Sequence, residues 1–271
     1  MSCLPHVEYD AGSSLSPVAL RAALRRWDVA PVSVPPRCDI QHEGERVQAL
    51  YLVESGWLFS YSLLSEGQRQ ILGLYRAGDI AGLADVGAET ASCSLRSLRS
   101  SVLQPIPLAA LASPAFLSPQ VAGFLLQKSA QAQQRLMRTL VAVGQMDARQ
   151  RIVWLILTLH HRLHGEQNIE DTLEIPLNQS EIGDLLGLTN VTVSKALCQL
   201  AEQGFIARRG NRIALLRPAE LRRMIGQEPS VLPADIIIEP DQNARRSRGN
   251  RRFAAPMIGK VRDALSRDRK P

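Results

Sequence analysis

Residues 175–217 have the sequence IPLNQSEIGDLLGLTNVTVSKALCQLAEQGFIARRGNRIALLR, which contains two short amphipathic runs separated by a glycine. Each run begins at a residue that favours a helix N-terminus. Asn178 is followed three residues later by Glu181, which is the spacing of a capping box. Thr189 is a suitable N-cap for a second helix over residues 190–203. The pattern therefore predicts a helix, a tight turn and a second helix.

A β-hairpin is predicted after the second helix. Gly204 ends that helix, and residues 205–207 and 213–215 have the composition of two short strands. The connecting residues, 208–212, include three arginines. Two helices joined by a short turn with glycine form a helix-turn-helix, and the hairpin adds a wing. In such a unit the second helix enters the major groove of DNA.

The polar face of the second helix and the arginines of the hairpin are candidates for contacts with double-stranded DNA. Ser, Thr, Asn and Gln can contact base edges, whereas Lys and Arg can contact guanine or phosphate. The residues at the start of the first helix are also candidates for DNA contacts. The alternative is a helical hairpin with a solvated polar face. The predicted DNA-binding residues are Asn178, Gln179, Ser180, Thr189, Asn190, Val191, Thr192, Ser194, Lys195, Gln199, Arg208, Arg209 and Arg212.

The composition limits the class of protein. A chain of 271 residues can hold two ordinary domains, and its hydrophobic fraction of 45% can fill their cores. No apolar run is long enough to span a membrane, and the N-terminus lacks a signal-peptide pattern. We therefore expect a cytoplasmic protein with no membrane partner.

The net charge of +6 comes from the C-terminal tail. Residues 245–271 carry 10 Lys or Arg and 2 Asp or Glu, whereas the remaining chain carries 22 and 24. The high isoelectric point is therefore weak support for nucleic-acid binding on its own. The whole tail, residues 227–271, is predicted to be disordered. It either adds salt-sensitive contacts to phosphates or serves as a solubilising extension.

Residues 30–107, which precede these helices, have the composition of β-strands and turns. Short runs of β-forming residues at 48–54, 57–64 and 69–75 alternate with Gly, Ser and Asp turns. Regularly spaced short strands are typical of a small antiparallel barrel or jelly roll. A preceding helix is predicted to begin at Pro17, since proline favours the first helical position.

Residues 119–146 are predicted to form one long helix. Its small and apolar residues recur at alternating steps of three and four, which is the pattern of a helix that pairs with a symmetry mate. The alternative is a helix packed only against its own domain. We expect a homodimer. The predicted interface residues are Leu125, Ser129, Ala132, Leu136, Thr139 and Val143.

The sequence offers no arrangement of residues for catalysis or for a metal. No Ser/His/Asp triad, paired carboxylates or Gly-rich phosphate loop is visible, so we expect that the protein is not an enzyme. His160 and His164 are four residues apart, as two ligands on one helix would be, but no third ligand lies nearby. We therefore predict no metal site and no cofactor.

The four cysteines are far apart, so free thiols are expected: Cys3, Cys38, Cys93 and Cys198. Cys198 lies on the second predicted helix, one turn after Ser194. Lys195 could favour its thiolate, and oxidation would place negative charge or bulk against DNA. The alternative is a small cysteine that packs within the helix.

The order of these parts resembles the CRP/FNR family of bacterial transcription regulators over residues 32–226. The resemblance rests on the motif LYLV at residues 50–53 with Gly56, on Gly78-Asp79, and above all on IPLNQSEIGDLLGLTNVTVSKAL. It implies an α+β fold with an N-terminal antiparallel β-roll of the cyclic-nucleotide-binding type, a long dimerisation helix and a C-terminal winged helix-turn-helix. It also implies a homodimer that binds a two-fold-symmetric site and contacts RNA polymerase, usually to activate.

The expected division of the chain follows from this order. The predicted parts are an N-terminal helical segment at 1–29, a β-roll sensor domain at 30–117, a dimerisation helix at 118–146, a DNA-binding domain at 147–226 and the basic tail at 227–271.

The sensing motifs of two branches of that family do not match this sequence. Cyclic-AMP binders have a Gly-Glu pair and then Arg-Ser, where this chain has GLAD at 82–85 and ETAS at 89–92. A cyclic phosphate would therefore meet no guanidinium there. Iron–sulfur members have a tight N-terminal cysteine group, where this chain has only Cys3 and Cys38. Of the remaining branches, the sequence resembles the FixK-type members, which do not obviously need a small effector.

The base-contacting residues also differ from the family pattern GLT-x-E-T-V-S-R. The glutamate is replaced by Val191 and the arginine by Lys195. Valine could contact a thymine methyl group but cannot accept a hydrogen bond, and lysine lacks the planar fork that suits guanine. A binding site other than the usual TTGA-type half-site is therefore expected. Two alternatives stay open: a regulator gated by an unidentified ligand in the β-roll, and a winged helix that docks protein.

Overall fold

The computed structural model of the chain describes residues 17–164 and 172–226, and the predicted α+β fold is confirmed. The predicted basic tail and Cys3 lie outside these ranges. The helices are α1 (Pro17–Arg26), α2 (Leu108–Leu111), α3 (Pro119–Gln145), α4 (Ala148–His164), α5 (Gln179–Leu186), α6 (Asn190–Glu202) and α7 (Pro218–Met224). The strands are β1 (Val32–Val34), β2 (Asp39–Gln41), β3 (Ala49–Ser55), β4 (Trp57–Leu63), β5 (Arg69–Arg76), β6 (Ile80–Ala81), β7 (Ser94–Ser97), β8 (Ser101–Pro107), β9 (Thr172–Glu174), β10 (Ile206–Arg209) and β11 (Arg212–Leu215).

Two four-stranded antiparallel sheets form the β-roll, with strand orders β1-β8-β3-β6 and β2-β7-β4-β5. Strand β3 is buried on both faces. Tyr51 and Val53 belong to the core of the roll, whereas Leu50 and Leu52 pack in a second cluster with Leu20 of α1. Because successive strand residues point to opposite faces, this double burial explains the continuous apolar run at the start of β3.

The turn between β3 and β4 depends on a glycine. Gly56 has a φ of 89°, and a Cβ built there would lie 2.2 Å from Ser101 Oγ and 2.5 Å from the Ser100 carbonyl oxygen. Neither approach is sterically possible for a residue with a side chain. The close contact allows Ser101 Oγ to accept a hydrogen bond from the Trp57 amide (3.2 Å) and so ties the turn to β8.

Helix α4 forms the centre of the C-terminal half. Its buried residues include Ile152, Leu155, Ile156 and Leu159, which recur at helical spacing along one face. Trp154 and other residues on the remaining sides are also buried because α4 lies between the roll and the helices α6 and α7. One apolar cluster therefore runs from the roll through α4 into the winged helix.

Several short elements were not predicted from the sequence. Strands β1, β2 and β9 have three residues each, and α2 has four, so no periodic pattern identifies them. Strand β9 pairs with β11 and makes the wing a three-stranded sheet of order β10-β11-β9. The predicted hairpin is present in the structure, with strands that differ by up to two residues from the predicted bounds.

Ion pairs cross the joint between the roll and the winged helix. Arg69 on β5 donates two hydrogen bonds to Asp184 of α5, from Nε at 2.8 Å and from Nη2 at 2.6 Å. Arg37, between β1 and β2, pairs with Glu181 of α5. The guanidinium of Arg99 lies 3.3 Å from Glu174 of β9. In each pair the arginine belongs to the roll and the carboxylate to the C-terminal half, so the two surfaces are complementary in charge.

A fourth pair with the opposite polarity is buried deepest. The carboxylate of Asp79, 6% exposed, follows β5 and lies 2.6 Å from Arg162 Nη2 on α4 and 3.5 Å from Arg135 Nη2 on α3. Burial alone would raise the pKa of Asp79, but Arg162, Arg135 and the amide of Arg76 outweigh that effect and lower it. One carboxylate thus joins the roll, the long helix and the helix that leads into the winged unit.

Replacing this carboxylate should destabilise the whole chain. We expect Asp79→Asn to lower the free energy of unfolding by about 3–5 kcal/mol, because the buried guanidinium of Arg162 would lose the carboxylate that lies 2.6 Å from it. Since the folded pKa of Asp79 is depressed, its contribution is present above the unfolded value of about 3.9 and is lost as pH falls through the folded pKa.

Urea unfolding measured across acid pH tests both statements. The Asp79→Asn variant should lose less stability on acidification than the wild type. Asp28→Asn is the matched control because Asp28 is exposed and has a φ of 50°, a conformation that asparagine tolerates. Equal stability of the two variants would contradict a structural role for Asp79.

Candidate nucleic-acid interface

The first helix of the helix-turn-helix begins with the capping box that the sequence predicts. Asn178 Oδ1 accepts a hydrogen bond from the Glu181 amide at 2.9 Å, and the Asn178 amide donates to Glu181 Oε2 at 2.9 Å. Glu181 is 1% exposed. Gly187, with a φ of 63°, ends the helix in the left-handed conformation. Both ends of this helix are therefore defined by local contacts.

A second glycine, Gly183, allows the turn to pass close to α5. A Cβ built on Gly183 would lie 2.4 Å from the Leu188 carbonyl oxygen. The Leu188 amide also donates a hydrogen bond to the Gly183 carbonyl at 3.0 Å, which holds the turn against the helix. Gly183 is not among the residues predicted from the sequence. The signal for it is a glycine in the middle of a helix, where it is otherwise unfavourable.

Helix α6 starts at the predicted N-cap. Thr189 Oγ1 accepts a hydrogen bond from the Thr192 amide at 3.2 Å and lies 2.8 Å from the Thr192 hydroxyl. The apolar face of the helix is buried against α4 and α5. Its buried residues are Val193, Ala196, Leu197 and Leu200.

The opposite face of α6 is open to solvent. Val191 is 77% exposed, and Lys195 and Cys198 follow it at steps of four and three on the same face. Thr192, Ser194 and Gln199 are only partly exposed, because they lie at the edges of this face. Asn190 and Glu202, at the two ends of α6, are also exposed, so the open side of the helix carries an amide, an apolar side chain, a cation, a thiol and, at its C-terminal end, a carboxylate.

The wing lies beside the start of both helices. With the amide of Gln179 oriented to satisfy its neighbours, its oxygen accepts from Arg208 Nη2 at 2.9 Å and its nitrogen donates to Asn190 Oδ1 at 3.3 Å. Arg208 also donates from Nε to the Gly210 carbonyl at 3.0 Å. Gln179 thus connects α5, α6 and the wing at a single point.

Most of the predicted contact residues therefore meet on one surface, with a positive charge. Arg208, Arg209 and Arg212 are exposed on the wing, and Lys195 is exposed on α6. Within the described ranges none of these four forms an ion pair. Ser180 and Asn178 are exposed at the start of α5. Cations without a carboxylate partner on an open surface suit the phosphates of a nucleic acid.

Comparisons with known proteins match both halves of the chain. A family model described as the Crp-like helix-turn-helix domain matches residues 150–224, and one described as the cyclic nucleotide-binding domain matches residues 31–113. The cyclic nucleotide-binding match covers the β-roll, and the helix-turn-helix match covers α4 and the winged unit that follows it.

The chain belongs to the CRP/FNR family of transcription regulators.

Characterised relatives have low identity but long coverage. The transcriptional activator protein Anr of Pseudomonas protegens is 24% identical over 184 residues, which is 68% of this chain and 75% of that protein. The fumarate and nitrate reduction regulatory protein of Escherichia coli K12 is 23% identical over 188 residues, covering 69% and 75%. The structure of FixK2 from Bradyrhizobium japonicum has 26% identity, a TM-score of 0.66 and coverage of 74% and 98%.

The long helix of this CRP/FNR chain carries an exposed apolar stripe. Leu126, Met137 and Leu140 are 73%, 56% and 71% exposed. Together with exposed small or polar residues they form a heptad series of alternating steps of four and three. The series is Leu126, Ala130, Gln133, Met137, Leu140 and Gly144.

The predicted interface residues lie on the neighbouring face of the same helix. Leu125 packs against the cluster below the roll, and Val143 lies 3.8 Å from a Cβ built on Gly187. The other four border a cavity beside the roll. They are Ser129, Ala132, Leu136 and Thr139.

The described ranges contain no cluster of three or more His, Cys, Asp or Glu that could hold a metal ion. Cys38 and Cys93 are partly buried and Cys198 is exposed, and no disulfide joins these three. The rings of His160 and His164 are 5.0 Å apart on α4, without a third ligand in the described chain. No helix in the same ranges is long and apolar enough to cross a membrane.

Proposed function

We propose that this CRP/FNR protein is a sequence-specific transcription activator that acts as a homodimer on palindromic DNA in the cytoplasm. The observation that carries the proposal is the common surface of Val191 and Lys195 on α6 with the three wing arginines. Inserted in a major groove, the first turns of α6 would meet base edges while the wing meets phosphates. The residues predicted from the sequence keep these roles in the proposal.

The outer face of α6 favours a particular kind of base contact. Val191, the most exposed of the large hydrophobic residues in the described ranges, would pack on a thymine methyl group. Lys195, one turn further along, would contact guanine or an adjacent phosphate as a point charge. Thr192 would contribute less to base recognition because its hydroxyl lies within hydrogen-bond distance of Thr189. We therefore propose a half-site that differs from the TTGA type.

The homodimer would form along α3. Leu126, Met137 and Leu140 would lose their exposure to water against the same residues of a second copy, which is favourable in proportion to the apolar area covered. Ala130 and Gly144 would let the two helices approach closely. This seam is one residue later than the one predicted from the sequence. A two-fold axis along it would place two α6 helices on a palindromic site.

We propose activation from the name of a relative, and a contact with RNA polymerase from the resemblance to the CRP/FNR family. Anr is named a transcriptional activator, and we propose the same direction of regulation here. Among the branches, the FixK-like one is favoured. FixK2 is 26% identical over 98% of its chain, and the three described cysteines, Cys38, Cys93 and Cys198, form no metal-binding group. We propose no cofactor.

A second candidate is a regulator gated by a small ligand, and one observation favours it. A cavity of about 460 Å³ lies between the roll, α3 and α4. A ligand there could alter how the winged unit sits on the roll. A winged helix that docks protein is the remaining alternative, and the DNA-binding measurement below separates it from the proposal.

We expect Lys195→Ala to weaken binding to a duplex selected from a random pool by about 1–3 kcal/mol if the lysine contacts a base. Fluorescence anisotropy on the selected duplex and on an unrelated duplex, over a series of salt concentrations, measures it. Arg25 is an exposed cation on α1, and Arg25→Ala is the control. It should leave the affinity for both duplexes unchanged.

Two outcomes have distinct meanings. An equal loss on both duplexes, with a salt slope lower by about 1, would assign Lys195 to a phosphate. Wild-type protein that selects no sequence and shows no decrease of affinity with salt would contradict DNA recognition and favour the protein-docking alternative.

The double substitution Met137→Asp and Leu140→Asp should weaken self-association by more than roughly a hundredfold, because carboxylates would be buried in an apolar interface. Sedimentation equilibrium measures the association constant. Thr139→Asp, on the neighbouring face of α3, is the control and should still dimerise. A monomeric Thr139→Asp variant beside a dimeric double variant would instead support the register predicted from the sequence.

Cys198 is exposed on the outer face of α6, one turn after Lys195. Peroxide treatment should weaken DNA binding by about tenfold or more, since a sulfinate would face phosphates. Cys198→Ser should bind DNA and lose this sensitivity, whereas Cys38→Ser should keep it. Equal inhibition of the Cys198→Ser variant by peroxide would contradict a redox role.

A further inference from the structure

A series of hydrogen bonds between three polar side chains connects the wing to the start of α6. Arg208 Nη1 and Nη2 donate to the side-chain oxygen of Gln179 at 3.1 and 2.9 Å, and the side-chain nitrogen of Gln179 donates to Asn190 Oδ1 at 3.3 Å. Arg208 is on β10, Gln179 is the first residue of α5 and Asn190 is the first residue of α6. The wing and both helices of the helix-turn-helix therefore each contribute one residue.

The arginine fixes the direction of these hydrogen bonds. A guanidinium has five N–H donors and no acceptor, so the amide that meets Arg208 must present its oxygen. Gln179 then has its nitrogen on the side of Asn190, and Asn190 must present its own oxygen to that nitrogen. The orientation of the Asn190 amide is therefore determined by a residue on the wing.

This orientation leaves the side-chain nitrogen of Asn190 available for DNA. Asn190 is exposed, and no hydrogen bond within the described ranges uses its Nδ2 atom. It precedes Val191 at the N-terminal end of α6, the end that reaches base edges when such a helix enters a major groove. An asparagine with both amide groups available contacts adenine by donating to N7 and accepting from N6. Asn190 can only donate, because its oxygen is occupied by Gln179.

The four bases differ in how well they accept from such a donor in the major groove. Guanine presents the acceptors O6 and N7, and thymine presents O4, whereas cytosine presents only its N4 amino donor. Adenine presents N7, but its N6 amino group would lie beside the donor without an acceptor. A polar group that loses its partner in an interface carries a desolvation cost. A donor at position 190 therefore favours the bases with a keto oxygen, guanine and thymine.

We propose that Gln179 and Arg208 are positioning residues that fix Asn190 as a hydrogen-bond donor, so that each half-site has guanine or thymine at the base that Asn190 contacts. This base preference rests on the proposed function, because it concerns the same DNA-binding surface. Arg208 also donates from Nε to the Gly210 carbonyl at 3.0 Å, so two of its five N–H groups remain for a phosphate. A phosphate contact at the wing would thus hold the same side chain that orients the amides.

Selection of duplexes from a random pool, followed by affinity measurements on single-base variants of the selected site, tests the proposal with the full chain. The position at which Asn190→Ala loses its base preference is the position that Asn190 contacts. There the wild type should bind guanine or thymine at least about tenfold more tightly than adenine or cytosine, which is the scale of one good contact with a base edge.

Gln179→Glu should reverse the preference. A carboxylate only accepts, so it would accept from Arg208 and, through its other oxygen, from the side-chain nitrogen of Asn190. Asn190 would then present its oxygen to the DNA, and adenine or cytosine, which have amino donors in the major groove, should be favoured. A glutamate suits the first position of α5, since negative charge is favourable at a helix N-terminus. Thermal melting shows that each variant is folded.

Substitutions on the wing separate orientation from charge. Arg208→Met removes the donors that orient Gln179, so the preference for keto bases should largely disappear. Arg208→Lys keeps donors without an acceptor and should retain that preference. Arg209→Met is the matched control, because it removes the same charge from an exposed neighbour that does not contact Gln179. Its affinity should fall equally for all four bases.

An unchanged base preference in both Gln179→Glu and Arg208→Met would overturn the proposal, since contacts that only fasten the wing to the helices would alter affinity alone. A wild type that prefers adenine or cytosine at the contacted position would also overturn it. So would an Asn190→Ala variant that keeps every base preference of the wild type. A wild type that selects no sequence would contradict the proposed function, and the base preference with it.

Discussion

The buried carboxylate of Asp79 is the contact on which the arrangement of the molecule depends. It lies at a turn of the roll and is held by Arg162 of α4 and Arg135 of α3. A buried charge is tolerated only when its partners are close and well oriented. The three elements therefore cannot move apart independently, because any separation would leave a charge in the protein interior. These buried contacts hold the winged unit against the roll independently of the ion pairs at the surface.

The more exposed ion pairs then refine that position. Glu181 caps α5 through Asn178 and pairs with Arg37 of the roll through its other oxygen. The same side chain thus stabilises the first helix and orients it. Since α5 determines where α6 points, the outward face of Val191 and Lys195 depends on a carboxylate that has no role in contacting DNA itself. The local cap and the long-range docking are parts of one arrangement.

Local chemistry explains what could be predicted from the sequence. The capping box, the glycine that ends α5 and the N-cap of α6 are encoded within a few residues, and the structure has each of them. The pairing of β9 with β11 and the ion pairs of Asp79 and Arg69 join residues far apart in the chain, so no spacing indicates them. The side of α3 that faces a second copy is a further feature that spacing leaves open. That helix has apolar residues on two adjacent faces, and periodicity alone does not distinguish the face toward solvent from the face toward the roll.

The close passage at Gly183 has a consequence for how such a protein can change its target. The carbonyl of Leu188 occupies the space that any side chain at position 183 would need. Substitution of Gly183 is therefore sterically excluded, and this exclusion preserves the angle at which α5 and α6 cross. The outer positions of α6 carry no comparable restriction, since their side chains point into open solvent. New operator preferences can therefore arise by substitution on that face alone, while the geometry that presents it is inherited unchanged.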